Sequence, residues 1–490
     1  MESEVKRKEN RKEMQWICIN IANVNSKKLL ILLWLWVWGT FQLIGQTQSE
    51  ALNIFLRSEN LKHAAITFEM VDLSTGRRIA AHNESQSLAS ASNLKLVTTA
   101  TALDILGSDF SYCTSLFYDG VIENSVLNGN IYIEGSGDPT LGSEFTDEEQ
   151  ERFLTVWLKA IQQAGIQRIK GDVIVLDQLF GYTGISPKWL WEDLGNYYAA
   201  GAYGISIFDN IYRLYLQSSS PGNRTKILHT TPEMKDLRFT NTIIATASEP
   251  AGAFISGAPF SCERHLHGSV SANNSILTVK GDIPDPGLFL ARYFTDYLQK
   301  SGIPVSGKAV TYRLSPAEPQ AKRELAVIRS PDLNAIVRTV NVHSNNHYAE
   351  HLYKLLTLKK GIDIPAYWKQ KGLDTSALFQ YDGSGLSPAD AVSADFLVQL
   401  LAYMNKQSNG FYASLPIAGK EGTVASFLKG TALEGKARIK SGSMTAVQSF
   451  AGYIDKNGKR YAFALIINHF TGSRAELRKE IEKLLTFVLS

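Results

Sequence analysis

An excess of charge of either sign is nearly missing from this chain of 490 residues: 50 Lys and Arg stand against 47 Asp and Glu. The formal net charge is +3, and residues 1–28 already hold it, with seven basic side chains (Lys6, Arg7, Lys8, Arg11, Lys12, Lys27, Lys28) against four glutamates. The rest is close to neutral, which removes the electrostatic footprint that nucleic-acid binding requires. Long apolar runs are scarce as well. Leu29–Trp38 is diluted by Gly39, Thr40 and Gln42, and the stretch to Ile44 falls short of the roughly 20 residues of a spanning helix. A basic front, a short apolar segment and a small residue at Gly45 read as a secretory signal cleaved near residue 45, in preference to a membrane anchor. No cysteine follows the run at a lipidation position. Cysteine is rare throughout: Cys18 would leave with the signal, and Cys113 and Cys262 could pair in an exported chain, though nothing demands it. Internal repeats and low-complexity tracts are absent. A zinc-peptidase pattern is missing too. His343, His347 and His351 fall at helical spacing, but Ser344 stands where that pattern needs glutamate. Neither this trio nor Cys262-x-x-His265-x-His267 reads as a metal site.

What is present is an ordinary globular composition, 44% hydrophobic and 20% charged, on a chain long enough for two to three domains. Ala65–Leu73 and Arg77–His82, turned by Ser74-Thr75-Gly76, predict a hairpin. Leu94–Leu106, ended by Gly107, has hardly a polar face and predicts a helix buried on most sides, with Ser90 or Ser92 able to cap it. Near the other end, Ala437–Lys440 reads as a strand, and Ser449–Ile454 and Tyr461–Asn468 flank the hairpin signal Asn457-Gly458. Ser473-Arg474-Ala475-Glu476 is a capping box opening an amphipathic helix. These parts describe one α/β (α+β) layer domain built from residues 47–115 and 327–490, after a signal over 1–46. Residues 116–326 have another texture: strand-like runs such as Ile131–Glu134, Asp172–Leu176 and Ile211–Gln217, with helices over Glu149–Gln163 and Pro286–Lys300. They read as one or two inserted β-rich domains.

Chemistry enters at Ser92-Asn93-Leu94-Lys95. A serine three residues before a lysine, on one face of an apolar helix, pairs a nucleophile with its base. Burial and a second positive charge can bring a lysine from its ordinary pKa near 10.4 toward neutrality, where it accepts a proton. The pattern also occurs at Ser3…Lys6 and Ser426…Lys429, so the tetrad gains its meaning from Ser344-Asn345-Asn346 and Lys440-Ser441-Gly442 downstream. Ser-x-Asn recurs at Ser58 and Ser271 in polar turn-like stretches, and Lys300-Ser301-Gly302 reads as a helix terminus.

In that order the three motifs resemble S-x-x-K, S-x-N and K-T-G of the penicillin-binding-protein-4 type D-alanyl-D-alanine carboxypeptidase/endopeptidase family. Flanking residues carry the resemblance further: Glu134-Gly135-Ser136-Gly137-Asp138-Pro139-Thr140-Leu141, Trp189-Leu190-Trp191-Glu192-Asp193, Tyr381-Asp382-Gly383-Ser384-Gly385-Leu386-Ser387 and Gly419-Lys420-Glu421-Gly422-Thr423. The likeness runs from about residue 50 onward and includes the long insertion between the first two motifs. It implies a serine β-lactamase/DD-peptidase-like fold, an antiparallel sheet covered by helices and interrupted by the insertion. It implies peptidoglycan stem peptides as substrate, β-lactams as covalent inhibitors, no cofactor and a periplasmic location. By position, it makes Ser92 the nucleophile and Lys95 its base, Ser344 a proton relay, and Asn346 a partner of Lys95 and of the substrate amide. Lys440 supplies positive potential, Ser441, Gly442 and Ser443 meet the substrate carboxylate, and the N–H groups of Ser92 and Ser443 form the oxyanion hole. Three departures stand out: Asn345 where Asp is common, Ser441 for Thr, and Ser443-Met444 for Thr-Leu. All keep the chemistry. The alternatives are a β-lactamase or esterase on the same scaffold, which leaves the insertion without a role, and a non-catalytic wall-binding protein, which leaves five intact polar residues unexplained.

Overall fold

The computed structural model describes residues 50–316 and 319–489; the expected signal lies outside them. Among the described residues, no helix is long and apolar enough to cross a membrane. Five antiparallel strands make the central sheet: β1 (Ala65–Asp72), β2 (Arg77–His82), β3 (Ala437–Met444), β4 (Val447–Lys456) and β5 (Lys459–Asn468). Their order is β3-β4-β5-β1-β2, so β1 pairs with β5 along its whole length, from Ala65 opposite Asn468 to Asp72 opposite Tyr461. The Asn457-Gly458 turn joins β4 to β5, with both residues in the left-handed region that a tight hairpin demands.

Alternation along β5 divides the core into two. Ala462, Ala464 and Ile466 face one set of helices, while Phe463, Leu465 and Ile467 face the other. The first set is α1 (Lys95–Leu106), α2 (Leu333–His343), α3 (Asn346–Lys354) and α4 (Ala394–Met404). The second is α5 (Arg474–Val488), which brings Leu477, Ile481, Leu484 and Val488, joined by Leu52 and Phe55 of the helix over 50–56. The capping box that opens α5 is formed: Ser473 Oγ accepts from Glu476 N, and Ser473 N donates to the Glu476 carboxylate.

α1 is buried from Lys95 through Leu103, as its lack of a polar face predicts. Its threonines satisfy their hydroxyls internally: Thr99 and Thr101 donate to carbonyls four residues back, and Thr98 donates to Gly383 O at 2.7 Å. The expected serine cap is not made. A 3-10 turn, Ala91–Leu94, precedes the helix instead, and no side chain caps either segment. The Ser92 hydroxyl is thereby left out of capping and takes a hydrogen bond from Lys95 instead.

Between β2 and α2 the chain builds further sheets. One orders Ala309–Thr311, Val173–Leu176, Ile131–Gly135, Cys113–Tyr118 and Arg323–Arg329, and Arg152–Gln163 and Pro286–Lys300 pack on it through Trp157, Ile161, Phe294 and Leu298. The outgoing and returning strands, Cys113–Tyr118 and Arg323–Arg329, lie antiparallel to each other. Two smaller sheets centre on Ile211–Gln217 and Glu263–Ser271, with the buried ion pair Arg264–Asp282 (2.9 Å) beside them. Cys113 and Cys262 are both free.

Candidate active site

Lys95 has no exposed surface, and its ammonium group meets three oxygens: Ser92 Oγ at 2.9 Å, Asn346 Oδ1 at 2.6 Å and Ser384 O at 2.7 Å. Burial lowers its pKa from 10.5 to about 7, against the opposing pull of the Asp382, Glu350 and Asp390 carboxylates. Two of the three oxygens are amide oxygens and only accept. Once Lys95 is neutral, two N–H bonds satisfy them, and its lone pair is left facing the Ser92 hydroxyl. The geometry can therefore draw a proton from that serine.

Lys440, equally buried, donates to Ser344 Oγ at 2.9 Å and to Ser441 O at 2.7 Å. Burial, and then the neighbouring Lys95, hold its pKa well below the usual range. Ser344 sits at φ 55°, a left-handed residue that ends α2 and lets α3 begin afresh, capped by the Asn345 side chain accepting from Tyr348 N (2.9 Å). This break corrects one reading of the sequence: His343 closes α2, so it does not continue the face of His347 and His351 on α3. Ser441 Oγ donates to Thr423 Oγ1 at 2.8 Å. Ser443 follows on the exposed part of β3, which forms the sheet edge.

The contacts that hold these residues in place run through the backbone or over long range, so the sequence names the residues without showing the contacts. Asn93 donates to Lys440 O (2.8 Å) and accepts from Phe450 N and Ala451 N (each 3.2 Å), binding the Ser92 turn to β3 and β4. Asn346 donates to Tyr198 O at 2.7 Å, so a carbonyl from between the first two motifs fixes which end of its amide faces Lys95. Asp382 accepts from Ser384 N, Gly385 N, Ser387 N and Trp189 Nε1 at 2.6–3.0 Å, shaping the loop whose carbonyl meets Lys95. Trp189 is thus a buried structural residue, while Trp191 and Tyr197 are exposed. Beneath this loop, burial raises Glu350 to about 8 and Asp390 to about 10, each further raised by Asp382. Asp382→Ala would strand several buried N–H groups, and we expect a loss of about 3 kcal/mol or more in urea unfolding at unchanged m-value.

Glycine is required at two close approaches. A Cβ at Gly442 would lie 2.4 Å from Ser449 Oγ and 2.5 Å from Ser90 O, and one at Gly385 (φ 76°) would lie 2.0 Å from Ala91 O. Both press backbone onto the turn carrying Ser92. Gly442→Ala is expected to cost about 1–3 kcal/mol by overpacking. By shifting the serine it should also lower turnover about 100-fold, read as a fall in kcat among the fraction that remains folded.

The cleft continues into a cavity of about 290 Å³ bounded by Ser344, Asn346, His347, Glu144, Tyr197 and Lys280. His347 is buried there, and burial lowers its pKa to about 3, so it is neutral.

A serine at hydrogen-bond distance from a buried lysine, on the turn that opens a helix packed against an antiparallel sheet, is an arrangement that can support nucleophilic catalysis without a histidine base. The chain belongs to the D-Ala-D-Ala carboxypeptidase 3 (S13) family, whose model matches residues 48–488. It is similar to the D-alanyl-D-alanine carboxypeptidase of Actinomadura sp. (strain R39), 27% identical over 447 residues, 86% of this chain and 81% of that protein. It is likewise similar to D-alanyl-D-alanine carboxypeptidase DacB of Haemophilus influenzae, 23% identical over 440 residues, 86% of this chain and 89% of that protein. The crystal structure of penicillin binding protein 4 (dacB) from Haemophilus influenzae shares the fold. Its TM-score is 0.76 at 21% identity, over 88% of this chain and 97% of that one.

Proposed function

We propose that this chain is an exported serine DD-peptidase that hydrolyses the D-Ala-D-Ala bond of peptidoglycan stem peptides through an acyl-enzyme on Ser92. The observation that carries this reading is the three-oxygen environment of Lys95, which leaves a neutral amine aimed at Ser92 Oγ. Ser92 gives its proton to Lys95 Nζ as its oxygen bonds to the penultimate D-alanine carbonyl carbon. The N–H groups of Ser92 and Ser443 receive the oxyanion. As the tetrahedral adduct collapses, the proton taken up by Lys95 passes through Ser344, held by Lys440, to the departing D-alanine nitrogen, which leaves Lys95 neutral again. Water, deprotonated by Lys95, then attacks the acyl carbon and releases the shortened peptide and Ser92. Ser441, Gly442 and Ser443 on the edge strand receive the terminal carboxylate, Lys440 supplies positive potential behind them, and Asn346 bridges Lys95 and the substrate amide. No cofactor takes part.

The open cavity past Ser344 leaves room for more than a terminal alanine, which supports cleavage of D-Ala–diamino-acid crosslinks by the same steps. Covalent inhibition by β-lactams follows from the serine chemistry. A structure of the Haemophilus influenzae protein complexed with a novel beta-lactam, TM-score 0.70 at 22% identity over 86% of this chain and 96% of that one, supports it. The basic and short apolar stretch before residue 46 supports export to the periplasm. Residues 47–115 with 327–490 form the catalytic part in this reading, and 116–326 the insertion.

Mass spectrometry of products from a defined pentapeptide and a crosslinked muropeptide dimer tests the proposal. Loss of one alanine from the first establishes the carboxypeptidase, and separation of the second adds the endopeptidase. An unchanged pentapeptide alongside stoichiometric penicillin labelling of Ser92 would assign the site another substrate.

A further inference from the structure

A second cavity, of about 230 Å³, opens within the segment between the first two motifs, and the chemistry above does not use it. Its lining combines aromatic faces with one cation and two carboxylates. The Arg313 guanidinium lies 4.1 Å from the centroid of the Phe260 ring and pairs with Asp285, while its backbone N–H donates to Asp177 Oδ1 at 3.1 Å. Tyr182 and Tyr203 pack against Phe260 with ring centroids 5.1 and 5.8 Å away. Two features resist a purely structural explanation. Phe260 holds φ at 60°, a left-handed conformation unfavourable for a bulky side chain. Tyr182 leaves 68% of its surface in water although its ring adjoins the cluster.

Carboxylates only accept hydrogen bonds and a guanidinium only donates them, so a matching ligand carries both donors and acceptors around an apolar face. A pyranose with hydroxyl and acetamido groups has that form. The position suits it as well. α3 begins with Asn346 at the catalytic cluster and ends with Lys354, whose ammonium group donates to Thr183 O and Ala202 O (2.9 Å each), next to Tyr182 and Tyr203. Its axial rise between those ends is about 12 Å. The segment from Tyr198 to Tyr203, the end of a 3-10 turn and the irregular chain after it, makes the same journey, from the carbonyl that holds Asn346 to the cavity wall. In a stem pentapeptide, four residues separate the sugar from the bond to be cut, about 14 Å when extended.

We infer that this cavity binds the amino sugar of the glycan strand that carries the stem peptide, so that one substrate occupies both sites. The inference rests on the peptidoglycan reading above. Its test uses the whole chain, with Tyr182→Ala, on an exposed ring, and Phe260→Gly, which relieves the left-handed backbone. Saturation-transfer NMR with a tetramer of N-acetylglucosamine reads binding without turnover. The parent should bind it, and each variant should bind about threefold to tenfold more weakly. In parallel, KM for the disaccharide-linked pentapeptide should lie below that for the free pentapeptide. Both variants should erase the difference while leaving free-peptide kinetics unchanged. No binding by the parent, or binding and a KM advantage that survive both substitutions, overturns the inference. If neither peptide is turned over, the hydrolytic reading fails separately and the NMR result alone decides the cavity.

Discussion

Ser92→Ala should leave a folded chain whose kcat/KM on a D-Ala-D-Ala peptide is lower by about 10⁵-fold or more. The stability effect should be small, because the half-buried hydroxyl has a single hydrogen bond, from Lys95. The kinetic effect should be near total, because the covalent intermediate has no other nucleophile. Asp382-Gly383-Ser384-Gly385 offers no substitute. Ser384 is buried, and its carbonyl is engaged by Lys95. Intact-mass analysis after incubation with a penicillin gives the same answer independently: one adduct per parent chain, none on the variant. An adduct on Ser92→Ala would move the nucleophile elsewhere and dissolve the assignment.

Lys95→Met is expected to slow acylation by about 10³- to 10⁴-fold, the scale of a lost general base. The parent supplies the sharper measurement. With Lys95 lowered to about 7 by burial, the amine is protonated below that pH and cannot take the serine proton. kcat/KM should therefore rise with pH through about 7 and level off above it. A lysine at its ordinary pKa would give a rise that continues toward pH 10. Lys95→Arg keeps the charge but does not deprotonate, so it should stay inactive. Recovery of activity in that variant would show that Lys95 serves as a charge and not as a base.

These residues were readable in the sequence to different degrees, for physical reasons. Side-chain chemistry at fixed spacing was legible: Ser92 with Lys95, Ser344 with Asn346, and Lys440 with Ser441 and Gly442 were singled out, and the structure gathers them around one cleft. Periodicity and turn chemistry marked the hairpin at Asn457-Gly458, the buried α1 and the helix Pro286–Lys300. Local pattern misjudged the start of α1 and the histidine face, because each is decided by a backbone conformation, the 3-10 turn at Ala91–Leu94 and the left-handed Ser344. Contacts made by main-chain carbonyls leave no trace in composition. Ser384 O on Lys95 and Tyr198 O on Asn346 became visible only once loops distant in sequence lay beside α1 and α3. The role of Asn93, whose amide fastens the first motif to β3 and β4, is likewise set by strands more than 340 residues downstream.

The pairing of β1 with β5 joins positions roughly 400 residues apart in the chain. Closing so long a loop costs little more entropy than closing one half its length, about 0.6 kcal/mol per doubling. The segment enclosed can thus grow or shrink between relatives at small thermodynamic penalty, provided its ends return side by side as Cys113–Tyr118 and Arg323–Arg329 do. Time is the stricter constraint. Lys440 reaches the neighbourhood of Ser92 only after β3 and β4 have emerged and docked, so in the proposed reading the site of a nascent chain is incomplete through most of its synthesis.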